Sequence, residues 1–221
     1  MAMPPAQTPA PPPPASTPPP TSTEHADTPR RRDYTPQVRS LVRTALFFGL
    51  LAAAAHWAWH QPFMAQPRAM YELARLPAPA TLAMPVEGVA AREVADTYGA
   101  PRGSDRRHEG VDIFAARGTP VVSATRGVVT SVRESGLGGR QVWVLGPGRQ
   151  RHYYAHLDDW AEGLASGDLV WPGDMLGTVG NTGNARGTPP HLHYGVYADG
   201  GAYDPLPLLR AGAREAAEPT R

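Results

Sequence analysis

Cysteine is absent from the 221 residues, which excludes a disulfide framework and a thiolate metal site, so any metal held by this chain takes histidine and carboxylate ligands. Lysine is absent too; every basic residue is arginine, in a chain rich in Ala, Pro and Gly. The formal net charge is only +1. A nearly neutral chain offers a polyanion little to follow, so the Arg30, Arg31, Arg32 run is a flank and no nucleic-acid partner is expected. Long apolar runs are missing as well, with one exception near the N-terminus.

Twelve of the 26 prolines fall in the first 36 residues, including "PAPPPPASTPPP", with almost nothing there to form a core. Such composition predicts a disordered tail over residues 1–40 that leans to polyproline II and serves as a solvated spacer. The apolar exception, "TALFFGLLAAAAHWAWH", follows directly. A buried helix would show a polar face, and this run has none before His56. A cleaved signal peptide would fit the small residues Ala53 to Ala55, but some forty residues ahead of the apolar core is long for its basic region. A signal anchor over residues 41–60 uses Arg30, Arg31, Arg32, Arg39 and Arg43 on the cytoplasmic side and Trp57 and Trp59 at the far interface. Both exported readings put the remaining chain outside the cytoplasm, in the periplasm or its equivalent, tethered to the cytoplasmic membrane if the segment stays.

Residues 61–85 contain a short helical stretch between proline clusters and read as a juxtamembrane linker. From Val86 the texture changes to short β-branched runs separated by glycine, such as "TPVVSA", "GVVTSVRES", "GRQVWVL", "RHYYAHL" and "HLHYGVY". These runs predict an all-β domain over residues 86–209, a small antiparallel sandwich or barrel. Residues 210–221 read as a flexible C-terminal tail.

Three of these stretches carry the chemistry. In "RRHEGVDIF" His108 and Asp112 are four residues apart. A helix would put them on one face, but Gly110 costs ~1 kcal/mol in a helix interior and Val111, Ile113 and Phe114 prefer strand, so a glycine turn between two ligands explains the spacing better. In "RHYYAHL" a regular strand puts His152, Tyr154 and His156 on one face. In "PPHLHYGVY" the same alternation aligns His191 with His193. Two imidazoles and one carboxylate make a three-ligand zinc set with room for water, and a hydrolase needs further groups to move the proton and stabilise the oxyanion. The set His108, Asp112, His156, His191 and His193 supplies both.

"RRHEGVDI", "YYAHL" and "PPHLHYGVY" resemble, in order, the HxGxD, YxHL-type and HxH motifs of the LytM or lysostaphin-type zinc endopeptidases, and the connecting "GNTGN" loop matches as well. The resemblance covers nearly all of residues 86–209. It implies one Zn2+ per domain on His108, Asp112 and His193, with His156 and His191 as catalytic histidines that are not ligands. It also implies a zinc-bound water as nucleophile and a peptidoglycan peptide, stem or cross-link, as substrate. Tyr154, on the His156 face, and Asn181, with Asn184 in the loop before HxH, are weaker substrate-binding candidates; a strand tyrosine often simply packs, and such loops often simply turn. Arg102 and Arg107 flank the first motif, where an arginine can meet a substrate carboxylate. A second class of function also resembles this fold: a non-catalytic LytM-like regulator that binds and activates other cell-wall hydrolases as its protein partner. Such regulators have lost zinc ligands, whereas here all five positions are filled.

Overall fold

The computed structural model describes residues 35–217. Most of the expected proline-rich tail, residues 1–34, lies outside the described residues, as do residues 218–221. The chain divides into two units, one up to Gly49 and one from Leu50 onward.

Helix α1 (Thr35–Trp59) starts before the expected span and takes in the last residues assigned to the tail. It buries none of its side chains and is the one helix among the described residues long and apolar enough to cross a membrane, with a mean hydropathy of 1.5. Its alanines and leucines are strong helix formers, and no proline interrupts it after Pro36.

The segment expected to be a linker is packed within the second unit. Helix α2 (Ala65–Arg75) repeats its apolar residues at helical spacing, so Ala69 and Leu73 share a face that is buried against Val128. Leu82 is 1% exposed and belongs to the main core, so the core draws on residues before Val86. A side chain the size of Leu gains about 1.5–3 kcal/mol on full burial, which favours docking over a free tether.

Eleven strands follow: β1 (Pro101–Arg102), β2 (Arg106–Arg107), β3 (Val111–Phe114), β4 (Pro120–Val122), β5 (Gly127–Ser135), β6 (Gly139–Leu145), β7 (Arg151–Trp160), β8 (Leu169–Val170), β9 (Met175–Val179), β10 (His191–Ala198) and β11 (Gly201–Tyr203). β1 and β2 form a separate hairpin; the other nine make one antiparallel sheet whose main path runs β11, β10, β7, β6, β5, β8. β3 pairs with β10, and β9 joins β4 to β7. The expected all-β antiparallel domain is therefore present, with helices at its margins. Alternation along β10 decides the two faces: Leu192, Tyr194 and Val196 are fully buried in the core, while His191 and His193 project from the opposite face.

The C-terminal expectation needs correction. Residues Leu206–Ala217 form helix α3, whose start is capped by Asp204 accepting the Leu206 N–H at 2.9 Å. Leu206 and Leu209 are buried in the core, and Gly212 lies so close to the Leu82 carbonyl that a Cβ would meet it at 2.2 Å. The helix continues past Leu209 into residues expected to fray, anchored by the two leucines at its start and by the close approach of Gly212.

Candidate metal centre

Register places the ligand candidates together. β10 runs between β3 and β7, pairing His193 with Asp112 on one side and with Ala155 on the other. Directly opposed residues in an antiparallel pair point to the same face, so Asp112 and His193 are neighbours by pairing alone. His108 precedes β3 and is pinned through its backbone, donating to the Ala100 carbonyl at 2.9 Å and accepting from Gly99 at 2.8 Å. Gly110 is needed for space: its φ is not left-handed, but a Cβ there would lie 2.5 Å from the Tyr194 carbonyl and 2.9 Å from the His193 ring. The expected glycine turn is thus a close approach to β10.

The donor atoms converge. His108 Nε2 is 2.8 Å from His193 Nδ1 and 2.9 Å from Asp112 Oδ1, and His193 Nδ1 is 3.2 Å from the same carboxylate oxygen. His108 Nδ1–H donates to the Thr97 carbonyl at 2.8 Å, which leaves Nε2 as a lone pair in the neutral ring. Three acceptors facing one another call for a cation between them, and two imidazoles with one carboxylate, all donor atoms within 4.8 Å, match the nitrogen and oxygen preference of zinc. Burial alone would raise the Asp112 carboxyl, but the adjoining His108 and His193 rings and the Arg102 guanidinium outweigh it. The carboxyl is held far below the usual range. Asp112 also receives support from Thr97, whose hydroxyl accepts its backbone N–H at 3.1 Å.

His156 and His191 stand beside this set, their rings 5.1 Å apart, with His156 5.9 Å from His193. Each is oriented by a backbone carbonyl: His156 Nδ1–H donates to Thr182 and His191 Nδ1–H to Pro189, both at 2.9 Å, so each keeps Nε2 free. Burial, reinforced by His193 and His191, pushes the His156 imidazole down to about 4. His193 is likewise lowered, by burial first.

Strand alternation misplaces one residue. His156 has φ +65°, the left-handed region, and this re-aims its side chain. His152 and Tyr154 therefore remain in the core while His156 turns into the cavity. Tyr154 is fully buried, its hydroxyl accepting the Ala124 N–H at 2.9 Å, and it does not reach the site. Tyr153, one residue earlier, lines the cavity instead, its ring 5.7 Å from His193. Asn181 also stays off the cavity wall: its Oδ1 accepts from Arg117 at 2.5 Å and its Nδ2 donates to the Thr188 carbonyl at 3.2 Å, locking the loop, while Asn184 lines the cavity. Arg102 ion-pairs with Asp112 Oδ2.

Thr182 has no ionisable group to mark it, yet it anchors the site. Its carbonyl holds His156, and its hydroxyl accepts the Arg140 N–H at 3.0 Å while donating to the Leu157 carbonyl at 2.9 Å. The turn is close-packed enough that a Cβ on Gly139 would meet the Gly183 nitrogen at 2.3 Å. The "GNTGN" text is thus a loop whose backbone positions a histidine. All five histidine and aspartate candidates border one cavity of ≈ 620 Å³. No residue of the 61–85 segment lines it.

Comparison with known proteins agrees with this arrangement. Residues 106–205, which contain all five positions, match the model of peptidase family M23. The match to that family spans a little under half of the chain. The chain is 42% identical over 129 residues to the L-Ala–D-Glu endopeptidase of Bacillus subtilis, covering 53% of this chain and 40% of that protein. It is 34% identical over 110 residues to lysostaphin of Staphylococcus simulans, covering 47% of this chain and 22% of that one. A solved structure of lysostaphin from the same organism superposes with a TM-score of 0.51 at 28% identity, over 62% of this chain and 58% of that chain. The chain thus spans less than half the length of these curated relatives. The resemblance to lysostaphin-type endopeptidases is borne out by these M23 relatives.

Proposed function

We propose that this chain is a zinc-dependent endopeptidase that hydrolyses peptide bonds of peptidoglycan stems or cross-links outside the cytoplasmic membrane. The observation that carries this reading is the convergence of the His108, Asp112 and His193 donor atoms beside two imidazoles whose Nδ1 atoms are tied to carbonyls. His108, Asp112 and His193 would hold the metal, which supplies Lewis acidity to a water and to the substrate carbonyl. The other steps belong to the protein. His156 is neutral well below pH 7, so its free Nε2 is competent to accept a proton. His191, 3.9 Å from Asp112 Oδ1 through Nε2 and with its ring 5.1 Å from that of His156, serves the developing oxyanion or the leaving amine. The Thr182 and Pro189 carbonyls fix both rings before substrate arrives, so little reorganisation is needed during reaction.

The relatives support the substrate class, one being named for an L-Ala–D-Glu bond. Helix α1, with Arg39 and Arg43 in its first turns and Trp57 and Trp59 in its last, supports a single-pass anchor with the N-terminus inside. The complete donor set counts against the regulator reading, in which ligands are lost. The experiment is digestion of purified peptidoglycan by the full chain in detergent, with product masses read out. New peptide termini that disappear on metal chelation and return with zinc are the expected result; an unchanged wall digest from the zinc-loaded chain would contradict the proposal.

A further inference from the structure

Arg102 and Arg106 stand directly opposite each other on the β1–β2 hairpin, and both border the cavity over the metal centre. Like charges in a directly opposed cross-strand pair destabilise a ladder, and this ladder has only two pairs. One guanidinium is partly satisfied: Arg102 donates to Asp112 Oδ2, using one of its five donors, and its side chain remains 42% exposed. Arg106 meets no carboxylate within ion-pair distance among the described residues. With a divalent cation on the histidines and Asp112, the walls carry net positive charge even after Asp105 and Glu109 on the same rim are counted. Opposed residues of an antiparallel pair point to the same face, so both arginines present planar donor forks, of the kind a carboxylate accepts, to the same cavity.

We infer that Arg102 and Arg106 form a carboxylate-binding subsite, and that the peptide cut by this chain carries a free carboxylate beside the scissile bond. A neutral polyglycine segment lacks that group. The inference rests on the hydrolase reading for its substrate, and binding separates the two. The full chain in detergent, zinc-loaded and carrying His156→Ala to suppress turnover, is titrated calorimetrically with an L-alanyl-D-glutamyl peptide bearing its free carboxylate and with the same peptide as the carboxamide. The carboxylate is expected to bind about 10- to 100-fold more tightly, the range of one to two charge-assisted hydrogen bonds. Arg106→Gln, which leaves the Arg102–Asp112 pair in place, should cut that preference at least about fivefold, and Arg106→Lys should restore part of it. Equal affinity for both peptides, no measurable binding of either, or a preference untouched by Arg106→Gln would overturn the inference. If the preference holds while the zinc-loaded wild type leaves peptide and wall intact, the hydrolase reading fails and the subsite stands.

Discussion

The two halves of β7 hold histidines four residues apart that a regular strand would aim the same way, yet they have opposite fates. His152, in the first half, is fully buried, its Nδ1 2.8 Å from the Tyr194 hydroxyl and its Nε2 without a partner among the described residues. Burial drives its imidazole down to about 3. His156, in the second half, takes a left-handed backbone and faces the cavity. One residue of strained backbone, costing about 1–2 kcal/mol, therefore separates a packing histidine from a cavity-facing one on the same strand.

The comparison breaks most sharply by truncation. His156→Ala should lower the turnover number by about 10²- to 10⁴-fold, the usual share of a general acid or base, while leaving the melting temperature nearly unchanged. His152→Ala should do the reverse, costing about 2–5 kcal/mol of stability for the cavity it opens while folded molecules keep their turnover; denaturant melts beside steady-state kinetics check both.

A pH series sharpens it next. In the unfolded chain both imidazoles titrate near 6.5, and in the fold near about 3 for His152 and about 4 for His156. The unfolded state then binds more protons below pH 6.5, so their contribution is full above that pH and is lost as pH falls toward these folded values. Stability of the metal-free chain should drop by roughly 1.4 kcal/mol per pH unit for each histidine between about pH 6 and 4. Removing His152 should take about one proton from that slope. A smaller effect is expected for Tyr154→Phe, which leaves the Ala124 N–H without its acceptor and should cost about 1–3 kcal/mol without changing turnover. Smallest is backbone relief: His156→Gly should be about 1 kcal/mol more stable than His156→Ala, because glycine accepts φ +65° without penalty.

Much of the site was legible because its chemistry sits in side chains at short spacings. HxGxD, YxHL and HxH name His108, Asp112, His156, His191 and His193, and the strand pairing of β3 with β10 brings His193 opposite Asp112. What alternation cannot convey is a φ reversal inside a strand, so it aligns Tyr154 with His156 where Tyr153 is the tyrosine that lines the cavity. The orienting groups were illegible for another reason: Thr97, Thr182 and Pro189 act through carbonyl oxygens that every residue possesses. Asn181 had the right composition for a groove but is consumed by Arg117 and Thr188, contacts set by tertiary packing. The same holds for α2, where buried Ala69 and Leu73 outweigh a linker-like composition.

The most direct test of the account is metal content per chain, measured on purified full-length wild type, His156→Ala and His193→Ala with their secondary structure checked in parallel. One zinc in the wild type and in His156→Ala, and none in His193→Ala, is the result predicted from three converging ligands flanked by a histidine that is not one of them. Zinc retained by folded His193→Ala, or lost from folded His156→Ala, would contradict that division.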